Sequence, residues 1–169
     1  MTKIAASILS ADFANLKHDC TRLLEAGVDL MHFDVMDGHF VPNISYGAPV
    51  LKCLHAAMPD VYYDVHLMIS DPARYAADFA RAGASLITFH LEAVPDTAEE
   101  VIAAIRAAGC QVGISIRPGT PVEAVFPYLG VCRSDPGHER GARFRRAEVP
   151  PHHPHAHCRH LCRAHPPRL

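Results

Sequence analysis

The sequence predicts an α/β protein of the (β/α)8 TIM-barrel type, on three observations. Apolar runs of strand length alternate with helical patterns between residues 4 and 116. Three helical patterns end in glycine directly before a strand, as a short αβ loop requires, at Ala26-Gly27, Ala82-Gly83 and Ala108-Gly109. The repeat alone fits an open doubly wound sheet equally well. Residues 7–12, after the first strand, lack the glycines of a dinucleotide-binding fold, and this favours the barrel.

Five βα units are legible, so the barrel is predicted to be incomplete. The strands are predicted at 4–9, 30–35, 61–67, 86–90 and 111–116. The helices are predicted after Ser10 or Asp12 up to Gly27, at 49–57, from Asp71 to Gly83, and from a cap at Asp96 to Gly109. The later strands lack a clean polar alternation, which is typical of a parallel sheet covered by helices.

The composition predicts a globular protein of one domain. The chain has 169 residues and is 49% hydrophobic, enough for a buried core. Its beginning does not resemble a signal peptide, and no apolar run approaches the roughly 20 residues that span a bilayer. We therefore expect a cytoplasmic protein without membrane contact. Cys20, Cys53 and Cys110 lie in apolar patterns and are predicted to be reduced core thiols.

Polar side chains cluster where the second predicted strand ends. His32 and Asp34 are two residues apart, so in a strand they point to the same face and could bind one divalent ion. Asp37-Gly38 then turns the chain away at the carboxyl end of the strand, where (β/α)8 proteins place their chemistry. A buried, mutually satisfied polar pair is the alternative for His32 and Asp34 taken alone.

The third predicted strand repeats this arrangement. It ends in His66, with Met68 two residues beyond, as Met36 lies two residues beyond Asp34. In a parallel sheet the two strands would aim His32, Asp34 and His66 at one point.

These motifs resemble the ribulose-phosphate 3-epimerase family. The matching segments are residues 7–13, 32–43, 64–68, 88–92 and 117–120, including the string Asp-Val-Met-Asp-Gly-His-Phe-Val-Pro-Asn. The resemblance covers about residues 3–129. We therefore divide the chain into the N-terminal part of a ribulose-phosphate-binding βα barrel, residues 1–129, and a different segment, residues 130–169.

The resemblance implies a function and a site. The family interconverts D-ribulose 5-phosphate and D-xylulose 5-phosphate, a step of the pentose phosphate pathway, by metal-assisted proton abstraction at C3 through an enediolate. It implies that His32, Asp34 and His66 are three of four ligands of one divalent ion and that Asp34 is also a general base. It further implies that Ser7, Met36, Met68 and His66 contact the sugar phosphate, and that a homo-oligomer can form. His90 is interpreted as structural. Zinc, manganese and ferrous iron all suit these donors.

Residues 130–169 depart abruptly from the family pattern. They contain 8 Arg, 7 His, 6 Pro and 3 Cys but only five residues from Leu, Ile, Val and Phe, so we predict disorder. A metal cluster of His153, His157, Cys158 and Cys162 and a basic nucleic-acid arm are weaker alternatives. A shifted reading frame in GC-rich DNA, which overproduces Arg, Pro and His, is the preferred explanation.

Two other functions stay open. Because the family's later strands are not recognisable, the chain could be an inactive fragment that retains only metal binding. It could also be another phosphate-binding barrel enzyme, such as a hexulose-phosphate synthase or an isomerase.

Overall fold

The computed structural model describes residues 3–130 and the backbone of Arg159–His160, and its centre is a parallel sheet. The strands pair in chain order and are β1 Ala5–Ser7, β2 Leu30–Met36, β3 Tyr63–Met68, β4 Leu86–His90 and β5 Gln111–Ile116. Every neighbouring pair from β1 to β5 is parallel. This arrangement confirms the predicted fold class, the first five βα units of a (β/α)8 barrel.

Helices connect the strands, as the alternation predicted. The α-helices are α1 Leu16–Glu25, α2 Ala48–Ala57, α3 Pro72–Arg81 and α4 Ala98–Ala107. Short 3-10 helices lie at Ile8–Ser10, Leu91–Ala93 and Val122–Tyr128. The glycines predicted to end α1, α3 and α4 have φ values of 92°, 107° and 85°, at Gly27, Gly83 and Gly109. A residue with a Cβ rarely adopts these angles, so the glycines explain why each helix ends where it does.

Two predicted helix starts are wrong. The Asp12 carboxylate accepts hydrogen bonds from the Ala14 backbone N–H at 3.0 Å and from Asn15 Nδ2 at 2.7 Å. These bonds form a turn, which delays α1 until Leu16. The N-cap of α4 is Thr97 and not Asp96. The prediction for α3 is confirmed, because its cap residue Asp71 accepts from the N–H of Arg74.

The hydrophobic core lies between the helices and one face of the sheet. Alternate residues of β2 and β3 point into it and are buried, namely Met31, Phe33, Val35, Tyr63, Val65 and Leu67. Cys20 and Cys110 are buried as predicted. Cys53 is exposed, contrary to prediction, because α2 turns Leu51 and Leu54 toward the core and Cys53 lies outside that stripe.

The predictions for residues 130–169 fall almost entirely outside the described residues, including the disorder and the tail metal cluster. Within residues 131–169 the structure describes the backbone of Arg159–His160, which runs antiparallel to β5 at Ser115 and Ile116. Within the described part of the chain, no helix has the length and apolar character needed to cross a membrane.

Candidate metal and catalytic site

Three side chains from β2 and β3, His32, Asp34 and His66, converge and are here called the donor triad. Their potential ligand atoms all lie within 4.8 Å of one another, and all three side chains are buried. Asp34 Oδ1 is 3.2 Å from His32 Nε2 and 3.0 Å from His66 Nδ1. The structure thus brings together the three residues that the sequence predicted would meet. Two imidazoles and one carboxylate fit zinc, manganese or ferrous iron.

The register of β2 and β3 explains why these side chains meet. Asp34 pairs with His66 across the two strands, and His32 pairs with Asp64 in the row below. Since alternate residues of a strand face the same side, both rows lie on the face opposite Phe33 and Val65. A shift of one residue would replace the donors by core side chains.

Asp64 supports the donor triad by contacting the His32 ring nitrogen that faces away from Asp34. Its Oδ2 lies 2.9 Å from His32 Nδ1, and its Oδ1 accepts a hydrogen bond from the Thr88 hydroxyl at 3.2 Å. A carboxylate on one ring nitrogen fixes the imidazole orientation and leaves the other nitrogen to a metal. Here that other nitrogen is Nε2, which faces Asp34.

Thr88 can occupy this position only because its neighbour on β5 is Gly113. A Cβ at Gly113 would overlap Thr88 Oγ1 and lie 3.0 Å from Thr88 Cβ. We therefore expect Gly113→Ala to push Thr88 away from Asp64 and to lower the free energy of unfolding by about 1–3 kcal/mol. Urea unfolding measures this change.

Gly119→Ala is the matched control, because a Cβ there meets nothing within 4 Å. Equal unfolding midpoints for the two variants would contradict the expected clash.

The other predicted contact residues surround the donor triad. Ser7, at the end of β1, donates from its hydroxyl to Asp34 Oδ2 at 2.5 Å and accepts from the Leu9 N–H at 3.3 Å. It therefore caps the following 3-10 helix and also contacts the site. Met36 and Met68 are paired in register one row above Asp34 and His66, and each is 8% exposed. Their predicted contact with the sugar phosphate stays a prediction.

A second group lies on the β4 side of the donor triad. His66 Nε2 is 2.9 Å from His90 Nε2, and His90 Nδ1 is 3.4 Å from Glu92 Oε2. Glu92 Oε1 accepts from the Arg117 backbone N–H at 2.6 Å and from the Thr120 hydroxyl. The site thus reaches from β1 across to the turn after β5.

Burial and hydrogen bonding set the charges of these groups in opposite ways. Burial lowers the pKa of His32, but bonds to Asp34 and Asp64 outweigh it and raise that pKa to about 10. Burial raises the pKa of Asp34, but bonds from His32 and His66 hold it well below its usual value. For His90, burial dominates and lowers the pKa to about 4. Asp34 is therefore a carboxylate at neutral pH and His90 a neutral imidazole.

Asp37 ties the loop after β2 to the loop after β3. Its Oδ2 accepts from the Ser70 N–H at 2.8 Å and from the Ser70 hydroxyl at 3.0 Å. Its Oδ1 accepts from the N–H groups of His39 and Phe40, both at 2.8 Å. Burial raises the pKa of Asp37, but these bonds outweigh it and lower the pKa to about 2.

This lowered pKa predicts a dependence of stability on pH. The unfolded value is 3.8, so the stabilising effect is complete above about pH 4 and is lost as the pH falls toward 2. Because Asp37 is partly exposed, we expect Asp37→Asn to lower the free energy of unfolding at pH 7 by only about 1 kcal/mol. Urea unfolding from pH 7 to pH 2.5 should show this difference shrinking. A difference that grows at acid pH would contradict the sign.

Asp64, Glu92 and His90 were not predicted as parts of the site. Asp64 precedes His66 by two residues, and Thr88 precedes His90 by two, the same spacing that identified His32 and Asp34. That spacing was therefore a usable signal. Glu92 lacks this strand spacing, because it lies beyond β4 in a 3-10 helix whose path the sequence does not specify.

Fold and site together define a βα-barrel-type protein with a buried His/Asp cluster, on two adjacent strands, that could hold a metal ion. Comparison with known families narrows this class. Residues 3–133 match the model of the ribulose-phosphate 3-epimerase family, and the chain belongs to that family.

Curated relatives agree with this assignment. The chain is 50% identical over 127 residues to the cytoplasmic isoform of ribulose-phosphate 3-epimerase from Oryza sativa subsp. japonica, covering 75% of this chain and 55% of that protein. It is 50% identical over 126 residues to the Treponema pallidum ribulose-phosphate 3-epimerase, covering 75% and 57%. The Candida glabrata enzyme is 41% identical over 147 residues, with 76% and 59% covered. The chain therefore spans little more than half the length of these relatives.

Solved structures support the fold alone. KGPDC from Streptococcus mutans matches with a TM-score of 0.61 at 13% identity, covering 78% of this chain and 61% of that one. A second structure of the same protein, a ligand complex, gives a TM-score of 0.60 at 13% identity, covering 77% and 59%.

Proposed function

We propose that the protein is a metal-dependent ribulose-phosphate 3-epimerase that interconverts D-ribulose 5-phosphate and D-xylulose 5-phosphate. The observation that carries this proposal is the donor triad, on two adjacent strands in a chain of this family. The relatives described above, at 41–50% identity, are all ribulose-phosphate 3-epimerases. The alternative of another phosphate-binding barrel enzyme has no comparable support.

The donor triad would hold one divalent ion, which when bound supplies Lewis-acid stabilisation of the charge that develops on the sugar oxygens. We assign two tasks to Asp34 because its two oxygens have different surroundings. Oδ1 faces both histidines and suits metal binding, whereas Oδ2 faces the Ser7 hydroxyl. Oδ2 is thus the atom proposed to exchange the C3 proton.

The neighbouring residues serve this proton transfer. Ser7 holds the Asp34 carboxylate in one orientation through its 2.5 Å hydrogen bond. Met36 and Met68 offer polarisable, apolar walls to a flat enediolate and do not compete for its proton. We propose zinc, manganese or ferrous iron as the ion, a sugar phosphate as the substrate and the cytoplasm as the compartment.

A second candidate is metal binding without turnover, and one observation favours it. Inversion at C3 needs an acid/base group on each side of the carbon, and Asp34 supplies one. In the described residues the other two carboxylates of the site, Asp64 and Glu92, are bonded to His32 and His90. The chain also spans only 55–57% of two of its relatives.

One set of measurements separates the two candidates. We expect the 169-residue chain to bind one zinc ion in calorimetry and His66→Ala to abolish that binding. An assay that consumes xylulose 5-phosphate then decides the activity. Turnover that chelation removes and added metal restores supports the epimerase. Stoichiometric zinc binding without turnover supports the second candidate. Zinc binding that His66→Ala leaves intact contradicts both.

A further inference from the structure

The donor triad has an imidazole–carboxylate pair behind His66 to which no role has been assigned. Three contacts in series connect Asp34 Oδ1 to His66 Nδ1 at 3.0 Å, His66 Nε2 to His90 Nε2 at 2.9 Å, and His90 Nδ1 to Glu92 Oε2 at 3.4 Å. His66 and His90 are 1% and 2% exposed. Two buried imidazoles therefore lie between two carboxylates.

Counting hydrogens shows what this series requires. Each of the three contacts needs one hydrogen to be favourable, but two neutral imidazoles carry only two. An additional proton or a metal ion must occupy the remaining contact. Its location depends on which nitrogen of each ring bears hydrogen.

Both ends of the series are carboxylates, which only accept hydrogen bonds, so a metal ion at the Asp34 end leaves the two ring hydrogens for the other two contacts. If His90 donates from Nδ1 to Glu92, its Nε2 has a lone pair and accepts from His66 Nε2–H. The lone pair of His66 Nδ1 then faces Asp34 Oδ1 across 3.0 Å, an arrangement that only a cation between them makes favourable. The hydrogen bonds of the series thus place the His66 hydrogen on Nε2 and leave the lone pair on Nδ1, which faces the other donors.

We propose that His90 and Glu92 are positioning residues that fix the His66 tautomer and thereby direct its Nδ1 to the metal. This inference rests on the metal site of the proposed function. His32 shows the same principle with one residue fewer, since Asp64 contacts its Nδ1 directly and leaves Nε2 for the metal. Each histidine of the donor triad therefore has a carboxylate that sets its orientation, directly for His32 and through His90 for His66.

The surroundings of Glu92 keep it in this role. Its Oε1 accepts from the Arg117 backbone N–H and the Thr120 hydroxyl, so Oε2 is the oxygen that faces His90. The Arg117 side chain also donates to the Phe40 carbonyl at 2.7 Å. The turn after β5 therefore holds the carboxylate in place.

Glu92→Gln tests the proposal because it should reverse the direction of the hydrogen bonds from His90 to His66. The carbonyl of the introduced amide would stay with the two donors on Arg117 and Thr120, which turns its NH2 group toward His90 Nδ1. His90 must then accept at Nδ1 and donate from Nε2, so His66 carries its hydrogen on Nδ1, where zinc binds. We expect the zinc affinity in calorimetry to fall about 10–100-fold. In the zinc-free proteins, long-range 1H–15N correlations of the imidazoles should show a hydrogen on His66 Nε2 in the wild type and none on that nitrogen in Glu92→Gln.

Glu25→Gln is the matched control, since Glu25 is exposed at the end of α1. It should leave the zinc affinity and the His66 tautomer unchanged. Equal zinc affinity and the same His66 tautomer in Glu92→Gln and Glu25→Gln would overturn the proposal.

If Glu92→Gln does not fold, a second pair of variants tests whether His90 positions His66 for the metal. His90→Gln can accept from His66 with its carbonyl and donate to Glu92 with its amide, so it should bind zinc nearly as the wild type does. His90→Leu breaks the series and should lose about 10–100-fold in affinity. Equal affinities for these two variants would refute the inference. A wild-type chain that binds no zinc would instead refute the metal site of the proposed function.

Discussion

Replacing Asp34 with asparagine is expected to abolish stoichiometric zinc binding. Asp34 is the only carboxylate of the triad, and its Oδ1 is the atom that both histidines face. An amide oxygen is a weaker ligand and leaves the zinc charge without compensation, so we expect a loss of at least about 100-fold in affinity, more than a supporting residue gives. Any turnover should fall by about 10²–10⁴-fold or more, because the same residue is the proposed base.

Calorimetry with zinc measures the first effect and the xylulose 5-phosphate assay the second. Asp60→Asn is the control, since it removes one exposed carboxylate elsewhere. If Asp34→Asn binds zinc with unchanged stoichiometry, the ion lies elsewhere, and the histidines of residues 130–169 become the next place to look.

Phe33→Ala is expected to remove a large part of the free energy of unfolding. Phe33 is fully buried on the helix-facing side of β2, with its ring centroid 4.4 Å from that of Tyr46. Loss of a buried phenylalanine costs about 3–5 kcal/mol, and a domain has only about 5–15 kcal/mol in total. Phe33 also lies between His32 and Asp34 in the strand, so zinc binding should weaken in step with the loss of stability.

Urea unfolding followed by far-UV circular dichroism checks this expectation. Phe126→Ala makes the same substitution at a side chain that is 54% exposed, and we expect it to cost under about 0.5 kcal/mol. Equal losses for the two variants would show that the sheet does not depend on the β2 core contact.

The strands and the donor triad could be predicted because both follow local periodicity. Residues 86–90 and 111–116 were predicted with their observed bounds, and His32 and Asp34 share a face through the two-residue repeat of a strand. Parallel pairing in chain order then brings His66 to the same point. Predicting these features requires no information about the conformation of the loops.

The remaining features depend on contacts between segments that are distant in the sequence or on side chains that compete with a helix. The late start of α1 follows from a side-chain turn at Asp12, which competes with helix capping. Glu92 joins the site through the turn at residues 117–120, and no periodicity encodes that meeting. The exposure of Cys53 likewise depends on how α2 is rotated against the sheet.

The donors of the triad lie on adjacent strands, between residues 32 and 66 of the sequence. The loop-closure entropy of bringing them together is therefore that of one βα unit, about 3 kcal/mol for a flexible loop of this length. The burial of Leu51 and Leu54 of α2 in the hydrophobic core already offsets that cost. The β2–α2–β3 unit consequently supplies all three donors of the triad by itself. The neighbouring strands act on these donors by orienting them, as Ser7 does for Asp34 and as proposed for Glu92.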